Sequence, residues 1–440
     1  HDRINHGANL LESHVFQFDF LNDDFSKLPQ GLQEILNDEN KRKKLIIYIN
    51  PPYAEGDNVR GIGRKDVHVS KIHSKYQSLM GKASSEMFAQ FFTRIYQEIP
   101  NSVLAEFSKL KILQAPNYSD FRSFFRAKLE KFFVVPADTF DNVKGDFPIG
   151  FFIWNLNKNE VFEQTIADVY DAKGNFIGEK TITSYDNSKY ISDWLEVYSK
   201  KISNNYVGHM ASVGNDFQNQ RMIFVDNEEK GNWKKGGRHT RITAENLIPV
   251  SIYFSVRKVI PATWLNDRDQ FLNPNDNWKT DKEFQNDCLT YTLFNNNIQI
   301  KFGVNHWIPF TENEVNAKEK FESNFMADFI KGKMNTENFG NLFGNDTTDN
   351  KALQFSQEAT DVFNAGRELW KYYHSQKDIN VNASLYDIKL HFQGRNDKGR
   401  MNAKSTDEKY TELISNLRQT LSIIADKIAP KVYEYEFLKQ

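Results

Sequence analysis

Residues Leu45 to Tyr53 read Leu-Ile-Ile-Tyr-Ile-Asn-Pro-Pro-Tyr. Five consecutive apolar residues, three of them β-branched, are too few for a helix and suit a strand covered on both faces of a parallel sheet. The strand has to stop at Pro51, because two successive prolines remove two backbone donors and fix φ at about −65°. Upstream, His14 to Phe20 (HVFQFDF) forms a second short apolar run, and the polar segment between the two has helical spacing. Downstream, a polar and basic loop gives way to a helix from Ser84 to Glu98, with Met87, Phe88, Phe91, Phe92 and Ile95 on one face. Another helix is expected from Tyr118 to Phe132. It leads into FFVVPADTF and then FPIGFFIWNL (Phe147 to Leu156), read as two adjacent strands joined through a turn at Gly145 at the far edge of the same sheet. Strand, loop and helix in alternation make this an α/β fold.

Beyond Asn157 the texture changes. Thr165 to Tyr185 alternates about Lys173-Gly174-Asn175 and reads as an exposed hairpin. Strand-like pieces broken by Asn, Asp, Pro and Gly fill Val207 to Phe310. The last third is mostly helical and ends on a stripe of Tyr410, Leu413, Ile414, Leu417, Leu421, Ile424 and Ile428, read as a packing face. Asn335 to Asn350 reads as a mobile loop. The expected division is therefore residues 1–157, a β-rich region over 158–310 and a helical region over 311–440.

The chain has 440 residues, with 56 Lys and Arg against 58 Asp and Glu. A net charge of −2 excludes a uniformly basic nucleic-acid coat but leaves room for local basic patches. The 36 Phe, 18 Tyr and 7 Trp supply ample core material, which argues against disorder. No run approaches the roughly 18 apolar residues of a bilayer span, so the protein is read as cytoplasmic, with no membrane partner. The single cysteine, Cys288, rules out an internal disulfide and is assigned a structural role. His68 and His73 have no carboxylate partner in register and are not read as metal ligands.

The chemistry concentrates at the diproline turn. The Asn50 amide oxygen and the Pro51 carbonyl offer two neighbouring acceptors, and Tyr53 offers a ring. That set suits an exocyclic amino group on a flat heterocycle: accepting both hydrogens localises an otherwise delocalised lone pair, and the ring stacks. In open parallel sheets, ligands lie beyond the carboxyl ends of strands, where this turn falls.

Asn50-Pro51-Pro52-Tyr53 resembles the catalytic motif of the S-adenosylmethionine-dependent amino-methyltransferases, and its surroundings resemble the adenine-specific DNA methyltransferases of bacterial restriction-modification systems. The resemblance implies a Rossmann-like methyltransferase sheet, S-adenosylmethionine as cofactor, and direct methyl transfer to the N6 amino group of an adenine flipped out of duplex DNA. It assigns catalysis to Asn50, Pro51, Pro52 and Tyr53, cofactor binding to Asp19 and Asn50, and stacking on the target base to Tyr53, Phe140 and Phe147. Family members carry a glycine-rich F-x-G-x-G turn for the methionine end of the cofactor, and nothing before Asp19 fits it. The sheet is accordingly expected to be incomplete at its N-terminal side. An upstream segment or subunit would complete the cofactor site, and the isolated chain would turn over little or not at all.

Basic residues supply the expected DNA contacts. Arg60, Arg64, Lys65 and Lys71 follow the turn, and Lys234, Lys235, Arg238 and Arg241 surround two glycines. Two other functions use or border the same features: methylation of a release-factor glutamine or of RNA, and a DNA-binding or specificity module whose methyltransferase-like half is inert. Cytosine carbon methylation would need a nucleophilic thiol after a proline, whereas Cys288 follows Asp287. No G-x-x-x-x-G-K-S/T occurs, so a motor activity has no support.

Overall fold

A computed structural model describes residues 14–51, 70–141, 143, 145–200, 204–228, 237–333 and 351–439. The chain divides into two compact units, His1–Asn187 with Thr263–Arg268, and Ser188–Ala262 with Asp269–Gln440.

The first unit is built on a six-stranded mixed sheet of β1 (Ile46–Ile49), β2 (Val103–Lys109), β3 (Ala127–Pro136), β4 (Pro148–Asn159), β5 (Gln164–Tyr170) and β6 (Phe176–Thr183), in the spatial order β1-β2-β4-β3-β5-β6. β1 pairs parallel with β2 and β3 parallel with β5, while β4 runs antiparallel between β2 and β3. The expected pair of adjacent strands is therefore present, but β4 is interior and the edge passes to the hairpin β5–β6. That hairpin turns at Gly174, whose φ of +82° suits glycine. Because it hydrogen-bonds to the first sheet, this unit extends past residue 157 to Asn187.

One face of the sheet is covered by α1 (Lys71–Met80), α2 (Met87–Glu98) and α3 (Ser119–Phe124). Phe88, Phe92 and Ile95 of α2 are fully buried against Leu104, Phe152 and Trp154, as the periodicity predicts. Two expectations need correction. The helix from Tyr118 to Phe132 ends at Phe124, because the aromatic and β-branched run from Leu129 to Val135 pairs with β4. His14 to Phe20 is not a strand: Phe18, Phe20 and Phe25 collect around the Arg94 guanidinium at 5.8, 5.1 and 4.2 Å. Arg94 donates to the Phe20 and Asp23 carbonyls and pairs with Glu98 at 2.8 Å, so one buried cation fixes the segment onto α2.

The second unit has a three-stranded antiparallel sheet, β8-β7-β9, made of β7 (Gly208–Ser212), β8 (Phe224–Asp226) and β9 (Arg238–Ile242). Its principal helices are α4 (Ile191–Ser199), α5 (Leu247–Val259), α6 (Lys282–Leu293), α7 (Gln357–His374), α8 (Leu385–Gln393) and α9 (Glu408–Glu434). One core runs from Ile191 to Leu438, so residues 188–310 and 311–440 share a single hydrophobic interior. α5 reads as strand-like in sequence because it is apolar nearly all round, which leaves no helical stripe to detect. The stripe on α9 packs inward as expected, with Tyr410, Ile414, Leu417, Leu421, Ile424 and Ile428 buried. Cys288 lies fully buried in α6, and burial pushes its thiol well above the ordinary range, in keeping with an inert structural role. The stretch Asn335 to Asn350 lies outside the described residues. Among the described residues no helix is long and apolar enough to cross a membrane.

Candidate active site

Asn50 and Pro51 follow directly on β1 and therefore stand at its carboxyl end. Asn50 is exposed and Pro51 buried, so the corner is anchored on one side and open on the other. Pro52 and Tyr53 lie outside the described residues.

Strand alternation fixes which face Asn50 shares. Ile47 and Ile49 turn toward the helix-covered face, and Ile46, Tyr48 and Asn50 toward the other. On that second face the rings form a shelf. Tyr48 lies 6.3 Å from Phe151, Phe151 lies 4.8 Å from Phe107, and Phe107 lies 5.2 Å from Phe140 in an edge-to-face contact. The register Ile49↔Glu106 places Phe107 next to the position of Asn50 on the neighbouring strand. Phe140 is thus one ring removed from Asn50's neighbour. Phe147 belongs to the same cluster and lies under the Lys109 ammonium at 5.6 Å. The β3–β4 connection that carries both rings is held by the Ala137 N–H donating to the Phe147 carbonyl at 3.0 Å and the Val143 N–H to the Phe140 carbonyl at 3.2 Å.

Directly across the sheet from Ile49, and facing the helices, lies a group that the sequence does not reveal. Glu106 is fully buried. Its Oε1 accepts from the Trp154 indole at 3.2 Å, and its Oε2 has no hydrogen-bond partner. Burial pushes its carboxyl well above the usual range, against weaker opposing bonds from Trp154 and Ser108. A glutamate at the centre of β2 looks like any exposed strand residue until pairing on both sides is known.

Asp19 does not stand at a strand end. Its Oδ1 accepts from the Leu21 N–H at 3.0 Å and its Oδ2 from Asn22 Nδ2 at 2.9 Å, so the carboxylate closes a local turn. Each oxygen keeps a further lone pair, so the turn leaves the carboxylate able to accept from a ligand. The turn borders an open cleft of ≈ 360 Å³ lined by Asn22, Asp24, Lys71, Lys75 and Arg94 among others.

Of the basic residues expected to meet DNA, Lys71 opens α1 beside this cleft, with its N–H on Asn22 Oδ1 at 3.0 Å. In the second unit Arg238 is committed to α4: it donates to the Ser192 carbonyl at 2.8 Å and lies 3.6 Å from Asp193 and from Glu196. Arg241 is exposed and stacks over Tyr206 at 5.5 Å. Arg60, Arg64, Lys65, Lys234 and Lys235 lie outside the described residues.

No family model matches this sequence. No curated protein matches it either. Among solved structures, an ATP-dependent Type ISP restriction-modification enzyme, LlaBIII, bound to DNA, is similar over 46% of this chain and 17% of that one, at 11% sequence identity and a TM-score of 0.21. The matched region is under a fifth of that enzyme's length, and a likeness this slight carries no argument about function.

Proposed function

We propose that this chain supplies the amine-activating turn of a methyltransferase that modifies the N6 amino group of adenine in DNA, within a restriction-modification enzyme. One observation carries the reading. Asn50 is exposed at the carboxyl end of β1, on the face where Tyr48, Phe151, Phe107 and Phe140 form a continuous aromatic shelf. Asn50 Oδ1 accepts one amino hydrogen and the Pro51 carbonyl accepts the other, which draws the nitrogen toward a tetrahedral shape and exposes its lone pair. The flipped base stacks on Tyr53, Phe140 or Phe147. The methyl donor is S-adenosylmethionine, whose sulfonium carries an activated methyl group. Asp19 is the candidate contact for its adenosyl part.

The test is methylation in cells. The complete protein is expressed in a host without adenine methylation, and the host DNA is sequenced for N6-methyladenine. One methylated sequence motif is expected with the wild type and none with Asn50→Ala, a loss of at least about a hundredfold in rate. Methylation of RNA or of a release-factor glutamine instead of DNA, or an unchanged pattern from Asn50→Ala, would sink the proposal.

A further inference from the structure

The connection between α8 and α9, Gly394 to Lys404, is a short rigid hairpin. Arg395 and Met401 form a β-bridge, the Asn396 N–H donates to the Arg400 carbonyl at 2.8 Å, and Asn396 Oδ1 accepts the N–H groups of Lys398 and Arg400 at 3.0 Å each. Gly394 and Gly399, with φ of +64° and +71°, supply the two left-handed turns. The base is locked to the helices: Asn402 Nδ2 donates to the Gln393 carbonyl at 2.8 Å, Ser405 Oγ to the Phe392 carbonyl at 2.7 Å, and the Tyr410 hydroxyl to Gln393 Oε1 at 2.7 Å.

This rigid element carries cations that the fold does not neutralise. Arg395, Lys398, Arg400 and Lys404 are exposed, and none has an ion-pair partner among the described residues; Arg395 bonds only the Gly399 carbonyl, at 2.7 Å. The nearby acids are spent or outnumbered. Asp407 receives the Tyr372 hydroxyl and caps α9, Glu412 pairs with Lys409, and Asp397 alone lies on the hairpin. The other end of α9 shows what neutralisation looks like here: Lys427 contacts Glu283, Asp287 and Glu358 within 2.6 to 3.2 Å.

Cations spread along a hairpin suit a ligand whose charges are themselves spread out, rather than one phosphate group. Gly394 to Lys404 contains no aromatic residue on which an unpaired base could stack. Asn396 Oδ1 and Asn402 Nδ2 are engaged with backbone, which leaves neither amide the pair of groups that reads an adenine edge. We propose that the Gly394–Lys404 hairpin grips the phosphate backbone of duplex DNA. The inference rests on the reading of DNA as the partner.

The test is fluorescence anisotropy of the full chain with labelled duplexes of two unrelated sequences, between about 50 and 200 mM salt. Relative to wild type, a variant carrying Arg395→Ala, Lys398→Ala and Arg400→Ala should bind both duplexes about tenfold or more weakly. The slope of log K against log salt should be shallower by about 2.7, since each lost phosphate contact removes about 0.9. A second variant, Lys398→Glu with Arg400→Glu, leaves the Arg395 bond to Gly399 in place and should show the same direction, with an unchanged thermal melt in both. Wild-type affinity and slope in both variants overturn the hairpin proposal while leaving the DNA reading intact. A wild-type chain that binds no duplex at the lowest salt overturns both. Stronger binding to single-stranded RNA, lost on the same substitutions, overturns the duplex assignment.

Discussion

Glu106 shows how much one residue can be controlled by its neighbours. Burial raises its carboxyl above the ordinary range, and that shift links folding to pH. Its folded pKa is raised above the unfolded value, so above about pH 4.5 the native state holds a proton that the unfolded state has released. Native stability therefore falls as pH rises through that window. The slope reaches at most about 1.4 kcal/mol per pH unit and flattens once the folded group ionises. Glu106→Gln keeps the acceptor for the Trp154 indole and removes the titration. Urea unfolding from pH 4 to 8 should show the variant gaining on wild type as pH rises; parallel curves would mean that burial leaves the carboxyl in its ordinary range. Asn50, next in sequence to Ile49, the register partner of Glu106, behaves oppositely. It is exposed, so Asn50→Ala should alter stability by no more than about 0.5 kcal/mol while removing methyl transfer.

At the scale of elements, what was legible followed from periodicity and turn chemistry. The helix at Met87–Glu98, the hairpin about Gly174 and the inward stripe of α9 each carry a local pattern that packing then obeys. The end of β1 before Pro51 was legible for the same reason, since proline has no N–H for the ladder. What failed depended on distant partners. The Tyr118–Phe132 helix was cut short by pairing with a strand some twenty residues later, and α5 hid its helicity in an all-apolar surface. HVFQFDF alternates like a strand, but Arg94 claims its rings. That guanidinium gives an element-scale prediction. Arg94→Leu removes bonds to two carbonyls and to Glu98, whose carboxyl burial would raise but Lys75, Arg94 and Tyr76 hold below the usual range. The expected loss is about 2 to 4 kcal/mol, with faster amide exchange over residues 14–28 as its local signature. Unchanged exchange there would mean that the aromatic rings alone hold the segment.

For the whole molecule, the two units are not simple halves of the chain. Thr263–Arg268 departs from the second stretch of sequence to join the first unit. Trp264 and Leu265 pack on its core, and Lys180 donates to the Leu265 carbonyl at 2.9 Å. Trp264→Ala should therefore destabilise the first unit by about 1 to 3 kcal/mol, read by amide exchange across β2 and β4. Exchange lost in the second unit instead would contradict this assignment. The order of folding follows as well, because the first core cannot be finished until the chain has been made to residue 268. One further property comes from β1. Among the described residues it pairs on one side only, and Ile46 and Tyr48 are 68% and 62% exposed. A short ribbon of greasy, ladder-ready backbone is a template on which stray polypeptide can add a strand, so aggregation would start beside the Asn50-Pro51 corner.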